Sequence, residues 1–303
     1  MLYPDFSDLL SYKKRKLDKM QPSQRKVSSR APGNHHSPYR GPGLDFDAVR
    51  EYVPGDDIRN IDWRVTARTG SPHVKLFQQE KERHTIICVD MNSAMRFGTR
   101  NTFKSIQAAR CASLLGWRAL AHQDRISACF FGDVPGGLQY FACKHTRQAL
   151  STVLKMLVQP PIEQHQVSLE AALQHIGRTA HSGSLIYLIS DFMDLSANFS
   201  NDPSLSRLSK SCEVVFVSIN DAADRALAAA GVIGFYGRGS EKVYVNTDSF
   251  KGRETYAAEW QASRSILTST AKRLKIPLIE LSTESDIHSD LLLSLKNTAR
   301  GKK

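Results

Sequence analysis

From residue 85 onward the chain alternates short, wholly apolar runs with longer segments that carry one apolar stripe. Thr85-Ile86-Ile87-Cys88-Val89, Ile126-Ser127-Ala128-Cys129-Phe130-Phe131 and Leu185-Ile186-Tyr187-Leu188-Ile189 are the clearest of the short runs. Each has the length of a strand, and none has the in-out alternation of a strand with one wet face, so both faces of the sheet must be covered. The pattern predicts strands at 85–90, 126–132, 138–142, 184–190, 213–219 and 277–282. It predicts helices at 102–122, 145–157, 168–181, 254–274 and 287–297, with a hairpin formed by 232–237 and 242–246. In the first helix Phe103, Ile106, Leu114, Trp117 and Leu120 supply the stripe. Strand and helix alternating in this way give an α/β fold with a doubly wound, mostly parallel sheet.

The segments outside this body differ in composition. Residues 1–43 form a basic N-terminal segment and linker. Phe6, Leu9, Leu10, Leu17 and Met20 lie at roughly helical spacing around the basic run Lys13 to Lys16, and residues 21–43 are rich in Pro, Ser, Gly and His without periodicity. Residues 44–84 read as short β segments and turns, 85–297 as the α/β body, and 298–303 as a basic tail. The formal net charge of +11 is concentrated at the ends: +6 falls in residues 1–40 and +4 in residues 291–303, which leaves +1 for everything between. A groove for phosphates needs its Lys and Arg on the folded body, so nucleic-acid binding is disfavoured. No apolar run reaches membrane-spanning length, and the N-terminus shows no export signal. The expectation is a cytoplasmic protein whose five cysteines, none in a C-x-x-C pair, stay reduced.

Residues 50–68 hold the densest charge. Arg50-Glu51-Tyr52-Val53-Pro54-Gly55-Asp56 contains a turn, because Pro presets its own φ and Gly supplies a positive one. Arg50, Asp57, Arg59, Asp62, Arg64 and Arg68 alternate in sign around Trp63. This spacing predicts a buried ion-pair network stacked on the indole, tying residues 44–84 to the body.

Two strands end in an aspartate, Asp90 and Asp191, and Ser168 opens a helix between them. Ligands of an open α/β sheet bind beyond the carboxyl ends of its strands, where the strand order reverses. With the first and fourth strands as neighbours, in the order three-two-one-four-five-six, these side chains converge. Two carboxylates and a hydroxyl suit Mg²⁺. The competing reading is that Asp90 and Asp191 simply cap the backbone that follows them, in which case two close carboxylates repel and one pKa rises. Around them Met91, Met95, Phe192, Met193 and Asp194 form an apolar and acidic rim that predicts a partner surface. The chain carries no G-x-x-x-x-G-K-[ST], H-E-x-x-H or G-x-S-x-G motif, so no enzymatic activity and no small-molecule substrate are expected.

The elements Arg50-x-Tyr52-x-x-Gly55-Asp56, Arg59-x-Ile61-Asp62-Trp63 and Ala67-Arg68 closely resemble the hallmark of the bacterial domain-of-unknown-function family fifty-eight. The remainder of the chain resembles the von Willebrand factor A-type domain, which is Rossmann-like in architecture. That resemblance implies a metal-dependent adhesion site of the form Asp-x-Ser-x-Ser, but here Asp90 is followed by Asn92 and Ala94 in place of the two serines. Asn92 still offers an amide oxygen and Ala94 offers nothing. The resemblance thus implies a degenerate site of Asp90, Asn92, Ser168 and Asp191, with Mg²⁺ weak and no cofactor required. It further implies a partner: a MoxR-type AAA+ ATPase, with other A-type-domain proteins, in the assembly or maturation of a client complex. Two alternatives are a Mg²⁺-dependent adhesion module that recognises an acidic residue of its partner, and a nucleic-acid or membrane-surface binder acting through the basic ends.

Overall fold

The computed structural model describes residues 3–14, 32–144, 146–159, 166–193, 195, 196, 198–236 and 242–300. Helix α1 (Phe6–Ser11) opens the chain and is capped by Asp5, whose carboxylate accepts from the Asp8 N–H at 3.0 Å. Strand β1 (Pro32–Glu51) pairs antiparallel with β2 (His73–Lys81). Residues 32–43, expected to form a linker from their Pro, Gly and Ser content, are therefore strand. Register shifts between Pro32 and His35, between His36 and Arg40 and between Arg40 and Asp45 let the ladder tolerate prolines and glycines that regular pairing would reject. Between the two strands lies helix α2 (Trp63–Thr69), where only strands and turns were expected. Asp62 caps it by accepting from the N–H groups of Arg64 and Val65 at 3.0 and 3.2 Å, and Gly70 ends it with φ +79°.

The body follows in the expected alternation: β3 (His84–Asp90), α3 (Lys104–Ala121), β4 (Arg125–Asp133), β5 (Gln139–Lys144), α4 (Arg147–Val158), β6 (Gln166–Val167), α5 (Leu169–Thr179) and β7 (Leu185–Ser190). Then come α6 (Pro203–Ser211), β8 (Glu213–Asn220), the short α7 (Ala222–Arg225), the hairpin β9 (Val232–Tyr236) and β10 (Lys242–Asn246), α8 (Phe250–Leu274), β11 (Leu278–Ser282) and α9 (Ile287–Arg300). The main sheet runs β11–β8–β7–β3–β4–β5. All neighbours are parallel except the edge strand β5, which pairs antiparallel with β4. Numbered within this sheet alone, the order is three-two-one-four-five-six read from the β5 edge. The strand order reverses between β3 and β7, so a crevice forms at their carboxyl ends.

Side-chain alternation along β3 divides the core in two. Ile87 and Val89 face a layer containing Leu114 and Leu115 of α3, Leu150 and Leu154 of α4, and Leu291 of α9. Ile86 and Cys88 face the opposite layer, with Leu173 and Ile176 of α5, Leu205 of α6 and Leu267 of α8. Every residue of β3 is buried, as a doubly covered strand requires.

The N-terminal helix belongs to the first layer. Leu9 is fully buried there, and its carbonyl accepts from Ser113 Oγ at 2.6 Å and from Trp117 Nε1 at 3.4 Å. Asp8 pairs with Arg110 at 2.7 Å. Residues 3–14 thus complete the surface of α3. Leu9→Ala, which opens a cavity against α3 and leaves the surface charges alone, is expected to lower unfolding free energy by about 2–5 kcal/mol in urea titration. A change of a few tenths would mean that the helix is peripheral to the fold.

Candidate functional site

The crevice between β3 and β7 holds the predicted carboxylates. Asp90 ends β3 and is buried. Its Oδ1 accepts from the Asn92 N–H at 2.9 Å, and its Oδ2 accepts from Ser190 Oγ at 2.6 Å across the β3–β7 boundary. Burial pushes the Asp90 carboxyl up to about 7, and the nearby Asp191 carboxylate pushes in the same direction. Asp191 follows β7, accepts from the Met193 N–H at 3.2 Å, and turns its other oxygen towards α3. Both aspartates therefore tie down the loop behind them, as Asx-type caps do.

A residue that sequence reasoning did not single out completes the cluster. Lys104, the first residue of α3, is 2% exposed. Its Nζ donates to Asp191 Oδ2 at 2.7 Å and to Asp224 Oδ1 at 3.2 Å, and it lies 5.6 Å from the centre of the Phe97 ring. Burial alone would lower the pKa of this ammonium, but the two carboxylates outweigh burial and raise it. Asp224 is itself pushed up by burial, against the pull of Lys104. Its second oxygen accepts from the Asp221 N–H at 2.8 Å, while Asp221 accepts from Thr99 Oγ1 at 2.5 Å and Thr283 Oγ1 at 2.6 Å. The loops after β3, β7, β8 and β11 are thus joined through side chains. Two signals in the sequence point here: Asp221 follows the end of a third strand, and Lys104 sits one turn before Ala108 on the buried stripe of α3.

Asp133, at the end of β4, was also not foreseen. It accepts from the Ser93 N–H at 2.7 Å, so its carboxylate holds the Asp90 loop against β4. Gly132 makes this close approach possible: its φ is +91°, and an added Cβ would lie 2.6 Å from the Asn92 nitrogen.

These donors do not fit a magnesium ion. Both Asp90 oxygens already accept hydrogen bonds, the Asp191 oxygen that faces α3 holds an ammonium, and Ala94 has no ligand atom. Ser168 is exposed and caps α5 by accepting from the Ala171 N–H at 3.2 Å; among the described residues it makes no hydrogen bond to either aspartate. Among the described residues, no group of three or more His, Cys, Asp or Glu side chains could hold a metal ion.

Two further expectations need correction. The charges of residues 50–68 do not form a buried network around Trp63, whose side chain is 68% exposed. They fix local turns instead. Arg50 pairs with Asp56 at 2.6 Å, and Asp56 also accepts from the Val53 N–H at 2.9 Å, which clamps the turn at Gly55. The hydrogen bond from the Arg50 guanidinium holds the Asp56 carboxyl below its usual range, helped by the Val53 N–H. Asp57 accepts from the Arg59 N–H, and Asp62 caps α2 and faces Lys75 at 3.6 Å. Among the described residues Arg59, Arg64 and Arg68 make no ion pair. Short carboxylates reach the adjacent backbone more readily than a distant guanidinium, so capping prevails. The rim is also less apolar than expected. Met95 and Phe192 are buried, Phe192 in a left-handed conformation with its ring 5.3 Å from that of Phe216. Met91 and Met193 are half-buried, and Asp194 lies outside the described residues.

The raised Asp90 pKa fixes the sign of a pH effect. Between about 4 and 7 the folded protein retains a proton that the unfolded chain, with its ordinary value of 3.8, has lost. The Asp90 contribution to stability is therefore fully present below about pH 4 and falls as pH rises towards 7. Asp90→Asn, which carries no titrating proton, is expected to flatten this descent. Urea titrations of both proteins at pH 5 and pH 8 read the difference; parallel curves would show that Asp90 does not titrate in this range.

Among known proteins, the chain is 26% identical over 271 residues to the uncharacterized protein Rv1480 of Mycobacterium tuberculosis, covering 89% of this chain and 84% of that one. Similar solved structures include the conserved hypothetical protein BatB from Bacteroides thetaiotaomicron, at 12% identity, 72% and 99% coverage and a TM-score of 0.45. A von Willebrand factor type A protein from Catenulispora acidiphila is similar at 10% identity, 74% and 43% coverage and a TM-score of 0.39. The family model described as protein of unknown function DUF58 matches residues 48–266, well over half of the chain. The chain belongs to the DUF58 family.

Proposed function

We propose that this chain is a non-enzymatic protein-binding adaptor that works with a MoxR-type AAA+ ATPase in the assembly or maturation of a client complex. The observation that carries the binding reading is the apolar surface of the segment between β1 and β2. Val53, Ile58 and Trp63 are 55%, 63% and 68% exposed within eleven residues. A lone exposed apolar side chain is ordinary, whereas three large ones in one short, braced segment form the kind of surface a partner covers. The bracing is extensive: the Arg50–Asp56 pair, the Asp62 cap, and backbone bonds from Tyr52 N to Pro72 O and from Asp62 N to His73 O, both 2.8 Å. Side chains held this way lose little freedom on docking, which favours affinity.

The ATPase as partner rests on the family resemblance of the Arg50 to Arg68 motif. The absence of a catalytic motif in the sequence supports a binding role. The basic ends leave nucleic acid a weaker reading, because the body between them carries almost no net charge. Among the described residues, no helix is long and apolar enough to cross a membrane.

The test is co-purification with the MoxR-type ATPase of the same organism, with and without ATP. Ile58→Ser combined with Trp63→Ser is expected to reduce capture at least about ten-fold, as loss of a hot-spot side chain does. The circular dichroism spectrum and melting temperature should be unchanged, since both side chains face solvent. Undiminished capture by the folded double variant would place the docking surface elsewhere.

A further inference from the structure

We propose that the ε-ammonium of Lys104 occupies the role of the divalent cation at the carboxyl-end crevice, so that the site is permanently loaded with a cation of its own. The inference does not depend on which partner docks.

The argument starts from where this lysine sits. It opens an 18-residue helix, where the helix dipole already favours negative charge, so a buried cation there is unfavourable unless carboxylates surround it. They do. Asp191 lies at 2.7 Å and Asp224 at 3.2 Å, both buried, and Asp90 adds a third carboxyl beside Asp191. Asp191 and Asp224, packed below the protein surface, need a positive charge if both are to ionise. A divalent ion bound by oxygens is one source, and a fixed ammonium with three N–H donors is another.

The remaining groups are arranged for an ammonium. A magnesium ion needs six oxygens near 2.1 Å in octahedral geometry, whereas the Lys104 contacts have hydrogen-bond length. Asp90 accepts from Asn92 and Ser190, and Asp224 from Asp221 and Lys104, so each of the four oxygens already faces a donor. Ala94 and the capping role of Ser168 remove two oxygens that a metal would call on. The absence of oxygen ligands at Ala94 and Ser168 and the presence of the buried lysine thus fit one and the same chemistry.

The decisive experiment titrates Mn²⁺ into the full chain and reads the free-ion signal by electron paramagnetic resonance, with melting temperature followed in Mg²⁺ and in EDTA. Wild type is expected to leave the Mn²⁺ signal undiminished and to melt identically in Mg²⁺ and in EDTA. Asn92→Ser with Ala94→Ser, which restores the serine ligands but keeps Lys104, should behave like wild type. Adding Lys104→Ser should produce saturable loss of the free Mn²⁺ signal and a rise in melting temperature with the ion. Saturable binding by wild type, or by the double variant, overturns the proposal, because Lys104 would then coexist with a metal. A folded triple variant that binds no Mn²⁺ overturns it as well, since the ammonium would not be holding an ion's place. Where the triple variant does not fold, the double variant decides: Mn²⁺ binding refutes the internal cation and its absence supports it.

Discussion

An ammonium group buried beneath the crevice of a parallel sheet must be matched by carboxylates, and in this chain the match links loops that are far apart in sequence. Lys104 reaches Asp191 after β7 and Asp224 after β8. Through Asp221 the same cluster takes in Thr99, which follows β3, and Thr283, which follows β11. Removing one charge from such a group leaves another buried and unpaired, at a cost of several kcal/mol. The strand ends therefore cannot shift independently.

The family-specific charges work at a shorter range. Arg50, Asp56, Asp57 and Asp62 act on turns and helix ends within a few residues of themselves. Each replaces a water contact of a backbone N–H or stiffens a turn, and each contributes modestly. Together they fix a segment with little apolar interior of its own. That explains how Val53, Ile58 and Trp63 can remain exposed on an ordered surface: the order comes from polar contacts, so the apolar side chains are not needed to hold it.

The α/β body was legible because wholly apolar strands and striped helices leave few arrangements. The convergence of Asp90 and Asp191 depended on the first and fourth strands being neighbours, and the sheet has that order. Other features escaped because their signals are local and ambiguous. Residues 32–43 carry the composition of a linker, yet β2 supplies them with partners. Residues 63–69 are too short for a helical period to emerge, and Asp62 as a cap looks the same as Asp62 in an ion pair. Lys104 was missed for a different reason: a lysine in an amphipathic helix is normally read as its solvent face, although its place one turn before Ala108 puts it on the buried stripe.

The placement of the exposed apolar groups bears on how an adaptor of this kind works. The segment with Val53, Ile58 and Trp63 enters the sheet through β2, at the amino end of β3. The hairpin β9–β10 leaves it after β8, at the carboxyl ends, and there Val232, Tyr244 and Phe250 are each about two-thirds exposed. Two segments, one leading into β3 and one following β8, therefore each carry exposed apolar side chains. The sheet itself is buried on both faces, and its crevice is closed by an internal ion pair, which makes it stiff. Under the proposed function, these two segments give an ATPase and a client separate places to dock.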